Sequence, residues 1–368
     1  MKIKNYLFLA CLVISMLSAC NKDEALPAPS IQMGVSDKEI TGKLSEKLSF
    51  SASSSNAVAY QQEWKLDGEV KSTEDTYEFT PLKSGTYLIE YTAFNNSGTF
   101  TFLYTIKVAA PTKPVTPESS MYVTQLFEYN PAPGQFINKA PGNLESARGI
   151  IGKKGMVTLG SWGGYIVLGF DHTVINAAEK EDIIVYGNPM ANFAEPGIIW
   201  VMQDENNNGK PDDTWYEVAG SEFGKAGYKR NYSVTYTRPK PDTAPIPWKD
   251  SEGNTGIVAT NTFHKQSYFP IWIAGDEYTL TGSILPSSGI DMTNPSYITS
   301  APFSWGYADN IAGGDKIDIS NAVDKNGKKV SLTGVDFIKI QTGIQANMGW
   351  LGELSTEVTG VADLSLVK

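Results

Sequence analysis

Tyr165-Ile166-Val167-Leu168-Gly169-Phe170 is an unbroken apolar run in the middle of the chain, and it decides the predicted fold class. A short apolar run between glycine-rich turns is typical of a strand buried in a sheet. Comparable runs occupy 183–187, 197–202 and 337–341. Glycine, asparagine and proline crowd the segments between them, and no long amphipathic helical pattern occurs. Residues 121–368 are therefore predicted to be all-β.

Residues 30–108, which precede this region, show a different strand pattern. Apolar and polar residues alternate through 85–93 and again through 99–108. A period of two predicts strands with one face buried, and glycines fall at the turns between them. A region of about 80 residues with this pattern predicts a small β-sandwich.

The first region also resembles a known family. Trp64-Lys65-Leu66-Asp67-Gly68, Gly85-Thr86-Tyr87 and the segment 93–98 resemble a PKD-type, immunoglobulin-like domain. The resemblance implies that Trp64 fills the core and that the domain, at 30–108, acts as a spacer. Direct ligand binding by this domain is the alternative.

Residues 109–120 separate the two regions. They are rich in proline and lack apolar periodicity, which predicts a semi-rigid linker in an extended conformation.

The second region resembles a widespread secreted domain of bacterial cell-surface proteins. The match is carried by 160–171, 182–186 and 334–340. It implies a larger, jelly-roll-like β-sandwich with long loops over 121–368. The stretch 238–303 is rich in proline, glycine and aromatic residues, and it is predicted to be functional loop rather than core.

The N-terminus carries an export signal. A basic start precedes an apolar run from Tyr6 to Leu17, which is too short for a stable membrane span. Leu17-Ser18-Ala19-Cys20 resembles the lipobox of bacterial lipoproteins. The resemblance implies removal of the signal peptide at 1–19 and acylation of Cys20; an ordinary cleaved signal peptide is the alternative.

The residues after Cys20 bear on localisation. Asn21-Lys22-Asp23-Glu24 resembles the acid-rich tag that directs Bacteroidota lipoproteins to the outer face of the outer membrane. Residence in the periplasm is the alternative. Residues 20–29 then form a tether between the anchor and the first domain.

Charge and cysteine content exclude several classes of function. A formal net charge of −10 disfavours binding to nucleic acid or to an anionic membrane surface. Cys11 lies in the predicted signal and Cys20 at the predicted lipidation site, which leaves no cysteine for a disulfide, a zinc cluster or a nucleophile. Two histidines provide little material for a Ser-His-Asp triad or a multi-histidine metal site.

A calcium-binding loop is predicted at 204–213. Oxygen-bearing side chains fall at its first, third, fifth and ninth positions, with glycine at the sixth, as in an EF-hand loop. Trp215 stands where the closing bidentate glutamate would be. We expect the loop to rigidify a hairpin between strands at 197–203 and 214–218; a polar turn without metal is the alternative. The predicted ligands are Asp204, Asn206, Asn208, Lys210 through its carbonyl, Asp212 and Asp213.

Aromatic residues in turn-like contexts are the candidate ligand contacts. Trp248, Trp305, Tyr307 and Trp350 offer flat apolar faces for sugar rings or corrin-type macrocycles. Many aromatic residues of this region are expected to pack in the core instead. His264 could ligate a metal, including the cobalt of a corrinoid, and a surface residue that only forms hydrogen bonds is the alternative.

No residue pattern indicates catalysis. Carboxylates such as Glu195, Glu353, Glu357 and Asp363 could be brought to the spacing of a glycosidase pair by the fold, but the sequence favours no pair. Phosphate-binding loops, nucleophile elbows and basic aromatic grooves are absent from the sequence. We expect no enzymatic activity, and we expect His172 to be structural.

These features predict a lipid-anchored receptor at the cell surface. The layout resembles accessory surface lipoproteins of gut Bacteroidota, some of which accompany TonB-dependent uptake of vitamin B12. The resemblance implies capture of cobalamin and transfer to an outer-membrane transporter, since confinement near a transporter raises the effective ligand concentration. A calcium-stabilised glycan-binding or adhesion lipoprotein is the alternative.

Overall fold

The computed structural model describes residues 26–368, which form two compact units. The described residues up to Pro81 join Thr86–Val108 in the first unit. Leu82–Gly85 and Ala109–Lys368 form the second.

Three N-terminal predictions lie outside the described residues: the signal peptide at 1–19, the lipidation site Cys20 and the tag at 21–24. Within 26–368, no helix is both long and apolar enough to cross a lipid bilayer.

The first unit is a β-sandwich of eight strands, as its alternating sequence predicts. One sheet has the order β1-β3-β6 and the other the order β2-β8-β7-β4-β5, in which β2 and β8 run parallel. The strands are β1 (Ile31–Met33), β2 (Glu39–Gly42), β3 (Leu48–Ser54), β4 (Gln61–Leu66), β5 (Glu69–Ser72), β6 (Thr76–Phe79), β7 (Gly85–Asn95) and β8 (Gly98–Val108).

The core of the first unit is aromatic. Trp64 on β4 is fully buried beside Tyr91 on β7, with ring centroids 4.7 Å apart. Phe50 on β3 packs against the same cluster from the other sheet. The predicted core position of Trp64 is therefore confirmed, and burial of such large rings supplies much of the driving force for this small unit.

The second unit is also built almost entirely from strands, joined by many irregular segments. It contains one short helix, α1 (Leu144–Arg148), and single 3₁₀ turns at Ile319–Asn321, Gly349–Leu351 and Leu364–Leu366. Its strands are β9 (Gln125–Asn130), β10 (Val157–Thr158), β11 (Tyr165–Ile175), β12 (Ile183–Tyr186), β13 (Gly197–Met202), β14 (Tyr216–Val218), β15 (Lys229–Thr237), β16 (Ile246–Asp250), β17 (Thr255–Val258), β18 (Glu277–Ile284), β19 (Ile290–Asp291), β20 (Thr299–Ser300), β21 (Asp315–Ile317), β22 (Ala322–Val323), β23 (Gly334–Thr342), β24 (Glu357–Val358) and β25 (Gly360–Asp363).

The main core of the second unit lies between two sheets. A six-stranded sheet has the order β22-β14-β13-β23-β11-β9, and a three-stranded sheet has the order β21-β12-β25. Ile166 and Leu168 on β11 share one buried cluster with Ile183 on β12 and Val361 on β25. Because β11 lies inside its sheet and is buried on both faces, its sequence is continuously apolar rather than alternating.

A further four-stranded sheet, in the order β17-β16-β15-β18, was not expected from the sequence. Three of its strands lie in 238–303, so the prediction that this stretch is loop rather than core is wrong for 246–258 and 277–284. Leu280 on β18 and Ile246 on β16 are buried against Trp162 in a core of their own. The burial alternates along β18, which explains how a strand forms in a segment with few consecutive apolar residues.

The proline-rich segment 109–120 belongs to the second unit rather than forming a free arm. The backbone of Lys113 exchanges hydrogen bonds with Thr173. The Lys113 ammonium lies 2.8 Å from an Asp204 carboxylate oxygen. These contacts hold the segment along the six-stranded sheet, because Thr173 lies on β11.

Candidate functional site

A cleft of about 580 Å³ opens on the second unit. Five chain segments meet there: the turn after β9, the segment before β10, the segment before β13, the loop after β17, and the segment after β23 up to the first residue of β24. Its size lies within the range of about 300–1,000 Å³ that is typical of small-molecule sites. The lining residues are Gln135, Phe136, Pro141, Met156, Asn188, Met190, Phe193, Glu195, Asn261, Phe263, His264, Trp350, Leu351, Glu353, Ser355 and Glu357.

The floor of the cleft, formed by Glu195, Glu353, Ser355 and Glu357, is polar. Glu353, Ser355 and Glu357 alternate along one extended segment that leads into β24, and all three are buried. Alternation places their side chains on one face of the segment. Glu195 joins them from the start of β13, where its Oε1 accepts a hydrogen bond from the Ser355 N–H at 3.0 Å.

Two carboxyl groups of this floor, those of Glu195 and Glu357, form a tight cluster with Asp309, which does not itself line the cleft. One oxygen each from Glu195, Asp309 and Glu357 lies within 4.8 Å of the other two. Asp309 is fully buried and its φ of 53° is in the left-handed region. Its carboxylate accepts the backbone N–H groups of Asn188 at 2.8 Å and of Glu357 at 2.9 Å. The cluster therefore ties three separate segments together.

Burial raises the pKa of each carboxyl in this carboxylate cluster, and repulsion by a neighbouring carboxylate adds to it for Glu195 and Asp309. For Glu195 and Asp309, burial is the main cause of the raised pKa, and the charge of Glu357 is the next. Burial also raises the pKa of Glu357, against the opposing effect of hydrogen bonds from Glu195 and Thr158. Like charges this close cannot all ionise, so the three groups share protons unless a cation neutralises them.

Glu353 is the third carboxyl that lines the cleft, and only one of its two oxygens has a hydrogen-bond partner. Its Oε1 accepts the Gln135 N–H at 2.8 Å. Its Oε2 has no hydrogen-bond partner among the described residues, although the side chain is only 5% exposed. Burial raises the pKa of Glu353 to about 8. A buried polar atom without a partner is costly, and it marks a place where a ligand can supply the missing interaction.

The rim of the cleft, formed by Met190, Phe263 and Trp350, is apolar and unusually exposed. Phe263 is 74% exposed, Met190 68% and Trp350 53%. The Trp350 ring is held in place because its Nε1–H donates to the Pro295 carbonyl at 2.8 Å. Exposed aromatic side chains around a polar floor are typical of a binding site for a ligand with both apolar faces and polar edges.

His264 lies inside the cleft, on the loop after β17. Its ring meets the edge of Phe136 with a centroid distance of 4.6 Å. The Asn261 side chain shapes this loop: its Oδ1 accepts the N–H groups of Phe263 and His264, and its Nδ2 donates to Gln135 at 2.7 Å. His264 and Trp350 are thus the two predicted ligand contacts that the structure brings together.

The other three predicted aromatic contacts lie elsewhere. Trp248 is half-buried on β16, where it packs on the core of the four-stranded sheet and covers Gly256. Trp305 is exposed but lines a separate depression with Lys180 and Lys316. Neither tryptophan faces the cleft.

Tyr307 was predicted to be an exposed ligand contact, and this prediction is wrong. It is 2% exposed, and its hydroxyl accepts the Glu222 N–H at 2.9 Å. The ring lies on Gly220, where even a Cβ atom would clash with it. The preceding Gly306, with φ of 89°, turns the chain so that Tyr307 points inward, which rules it out as an exposed contact for a ligand.

The sequence analysis named Glu195, Glu353 and Glu357, the three carboxylates that line the cleft, but no signal selected them from the other acidic residues. The available signal was the alternation of Glu353, Ser355 and Glu357 ahead of an apolar strand, since polar residues facing one way in a buried segment need a polar cavity. Asp309 carried no such signal, because its position depends on the fold of 307–310 against β12 and β24.

The predicted calcium loop lies between β13 and β14, and the predicted hairpin is present, with Val201 paired to Tyr216. Asp204 is buried and accepts N–H groups from Asn208 and Gly209. Its second oxygen also pairs with the Lys113 ammonium. The donor set suits a hard cation, but in this arrangement a lysine already neutralises the innermost carboxylate. Calcium in this loop stays a prediction.

His172 is buried on β11 between two carboxylates. Its Nδ1 lies 2.6 Å from Asp171 and its Nε2 2.9 Å from Asp363. The hydrogen bond to Asp363 is the main cause that raises the pKa of His172. His172 is fully buried and lies outside the cleft, and its structural role stays a prediction.

Comparisons with known proteins give no family. No protein-family model and no curated protein matches the sequence. Among solved structures, a quinonprotein alcohol dehydrogenase-like protein from Bacteroides thetaiotaomicron is 11% identical over 62% of this chain and 48% of its own, with a TM-score of 0.22. The N-terminal eight immunoglobulin domains of Down Syndrome Cell Adhesion Molecule are 10% identical over 48% of this chain and 21% of their own, with a TM-score of 0.23.

The fibronectin(III)-like modules of Clostridium thermocellum CbhA are 9% identical over 63% of this chain and 90% of their own, with a TM-score of 0.20. The chain spans about half of the first of these proteins and about a fifth of the second. At these TM-scores the similarities carry no argument about function. The all-β class rests on the strands of the chain itself.

Proposed function

We propose that this protein is a lipid-anchored protein of the outer membrane that captures a small molecule in the cleft of its second unit, outside the cell, and passes it to a TonB-dependent transporter. It acts as a binding protein and not as an enzyme. The observation that carries the proposal is the pairing of an exposed apolar rim with a buried polar floor in one cleft. Such a site suits a ligand whose faces are apolar and whose edge carries hydrogen-bonding groups.

Cobalamin is the ligand that we favour. Its corrin ring has apolar faces that can rest on Phe263 and Trp350, and its edge carries primary carboxamides. Those carboxamides can donate to the unpartnered oxygen of Glu353 and to Glu195. His264 lies in the same cleft and offers an imidazole to cobalt. Cobalamin is larger than the cleft, so part of it would lie on the exposed rim.

A glycan is the second candidate. Stacking of a sugar ring on Trp350 or Phe263, with hydroxyl groups bonded to Asn261, Gln135 and Glu353, uses the same side chains. The specific observation in its favour is that amides and carboxyls, which bind sugar hydroxyls well, outnumber other polar groups on the cleft lining.

Calorimetric titration of the purified protein with cobalamin and with an oligosaccharide panel tests the proposal. We expect Trp350→Ala to weaken binding of the true ligand by about tenfold or more, the size of a buried aromatic hot spot. Trp305→Ala is the matched control, because Trp305 is similarly exposed but lies outside the cleft. It should leave the affinity unchanged.

The results distinguish the candidates. Cobalamin binding that depends on Trp350 supports the first ligand, and saccharide binding that depends on Trp350 supports the second. Equal loss of binding in both tryptophan variants would show that the cleft is not the binding site. Failure to bind either cobalamin or an oligosaccharide would contradict the proposal that the protein captures such a ligand.

A further inference from the structure

We infer that the floor of the cleft holds a Ca²⁺ ion between the carboxylates of Glu195, Asp309 and Glu357. This inference goes beyond the proposed function and does not depend on which organic ligand the cleft binds. It is also separate from the predicted calcium loop at 204–213, which lies at the other end of β13.

The spacing of the three carboxylates fits the ion. Their oxygens all lie within 4.8 Å of one another. Two oxygens bound to one Ca²⁺ ion lie at most about 4.6–5.2 Å apart, because each Ca–O distance is about 2.3–2.6 Å. The three carboxylate oxygens therefore lie close enough together to bind one Ca²⁺ ion.

The donor set is made only of oxygen. Asp309 is fixed by two backbone N–H groups, and each of its oxygens keeps a lone pair for a metal. The Thr158 hydroxyl donates to Glu357 Oε1 at 2.8 Å and could turn to offer its own oxygen. Ser355 Oγ, which accepts the Gly160 N–H at 2.9 Å, is a further oxygen at the same place. With no nitrogen or sulfur donor in the cluster, a hard cation is favoured over zinc or copper.

Glu353 supplies a second, independent indication of a ligand. Its side chain is 95% buried and lines the same cleft as Glu195 and Glu357, and its Oε2 has no partner among the described residues. A cation on the floor would offset this unpaired buried oxygen as well as the repulsion within the cluster.

A bound ion would also give the cleft open coordination positions for the oxygens of a ligand, which side chains alone do not provide. Calcium takes six to eight oxygen ligands, more than three carboxylates that bind through one oxygen each and one or two hydroxyls supply. Its remaining positions would face the cleft, because Glu195 is only partly buried there. Oxygens of a captured ligand could take those positions.

Calcium binding to the purified protein, after treatment with EDTA and without any organic ligand, tests the inference. The probe is Ca²⁺ alone, followed by calorimetry or equilibrium dialysis. We expect Glu195→Gln with Glu357→Gln to weaken binding at this site by about tenfold or more, as loss of ligating groups does. These substitutions keep an acceptor oxygen for the Ser355 N–H and the Thr158 hydroxyl, and near-ultraviolet circular dichroism checks the fold.

Asp204→Asn is the matched control, since it removes the first carboxylate of the predicted loop at 204–213. The inference requires a Ca²⁺ site that survives in Asp204→Asn and weakens in the double glutamine variant. Wild-type protein that binds no Ca²⁺, or a double variant that binds as well as wild type, would overturn it.

Should the double variant fail to fold, Glu195→Gln alone and an anomalous-scattering peak in wild-type crystals soaked with Mn²⁺ decide the matter. Soaked crystals without a peak between the three carboxylates, together with unchanged Ca²⁺ affinity in Glu195→Gln, would contradict the inference. Because no organic ligand is present, failure here leaves the proposal of ligand capture standing.

Discussion

His172 shows how one side chain can depend on its surroundings for its charge. Both ring nitrogens face carboxylates, at 2.6 Å and 2.9 Å, so the doubly protonated ring satisfies both partners. The hydrogen bond to Asp363 and then that to Asp171 raise the pKa of His172, although burial opposes them. Burial likewise works against ionisation of Asp363, but the hydrogen bonds from His172 and Ser365 together outweigh it and lower the pKa of that carboxyl.

Stability is expected to depend on pH through His172. A histidine whose pKa is raised in the folded state stabilises fully below its unfolded pKa of about 6.5, and that contribution is lost as the pH rises through the folded pKa. The loss of melting temperature on going from about pH 6 to about pH 9 should therefore be larger in wild type than in His172→Gln. Thermal melts followed by circular dichroism at both pH values measure this change in melting temperature.

His264→Gln is the control, because His264 is the other histidine of the chain and lies in the cleft. It should keep the wild-type pH dependence. Identical pH profiles for wild type and His172→Gln would mean that the two carboxylates do not hold the ring charged.

The hairpin of β13 and β14 shows what a loop motif establishes and what it leaves open. The spacing of Asp, Asn and Gly in 204–213 predicts a tight turn, and the turn is there. The motif does not reveal Lys113, which reaches Asp204 from a segment 91 residues earlier in the chain. The partner of a buried carboxylate is thus decided by tertiary structure, and the local pattern fits either a lysine or a calcium ion.

Asp204→Ala should destabilise the protein even in EDTA. The substitution removes the acceptor of the Asn208 and Gly209 N–H groups and leaves the Lys113 ammonium unpaired. We expect a loss of about 1–3 kcal/mol in the free energy of unfolding, the cost of unsatisfied buried groups. Denaturant unfolding with EDTA and with Ca²⁺ measures it.

A drop that is larger in Ca²⁺ than in EDTA would show that the loop also binds the ion. Equal drops in both would exclude calcium from the loop. An unchanged free energy of unfolding in EDTA would contradict the role assigned here to the hydrogen bonds of Asp204.

The described part of the chain is arranged as two compact units, with a predicted anchor ahead of them. Each unit has its own buried cluster, and the cleft is assembled entirely within the second unit. The proposed function needs this second unit to be held at the membrane, which depends on Cys20.

Cys20→Ser should release the protein from membranes, because the acylated residue is lost and a hydrophobic anchor contributes roughly 0.8 kcal/mol per buried CH₂ group. Cell fractionation and mass spectrometry of the N-terminus measure it. Cys11→Ser is the control, since Cys11 lies in the predicted signal and should not affect the anchor. Membrane association that persists in Cys20→Ser, or an unmodified N-terminus in wild type, would contradict the lipoprotein prediction.

The sequence by itself determined the all-β class and the two-part organisation, because apolar periodicity reports directly on which face of a strand is buried. The core position of Trp64 was implied by the resemblance to a PKD-type domain. The sequence also placed the 204–213 turn and two members of the cleft, His264 and Trp350. It misassigned the strands within 238–303, where glycine and proline between short alternating segments hid the sheet.

Tertiary structure alone decided the cleft. Its acidic residues and the neighbouring Asp309 come from segments up to 162 positions apart in the chain. Only strand pairing in the second unit brings together the carboxyls of Glu195, Asp309, Glu353 and Glu357. Whether an aromatic residue faces solvent was likewise settled by packing: Tyr307 turns into the core after Gly306, whereas Trp350 stays on the rim. Such contacts cannot be predicted from local sequence, because they depend on which distant strand packs against the segment that carries the residue.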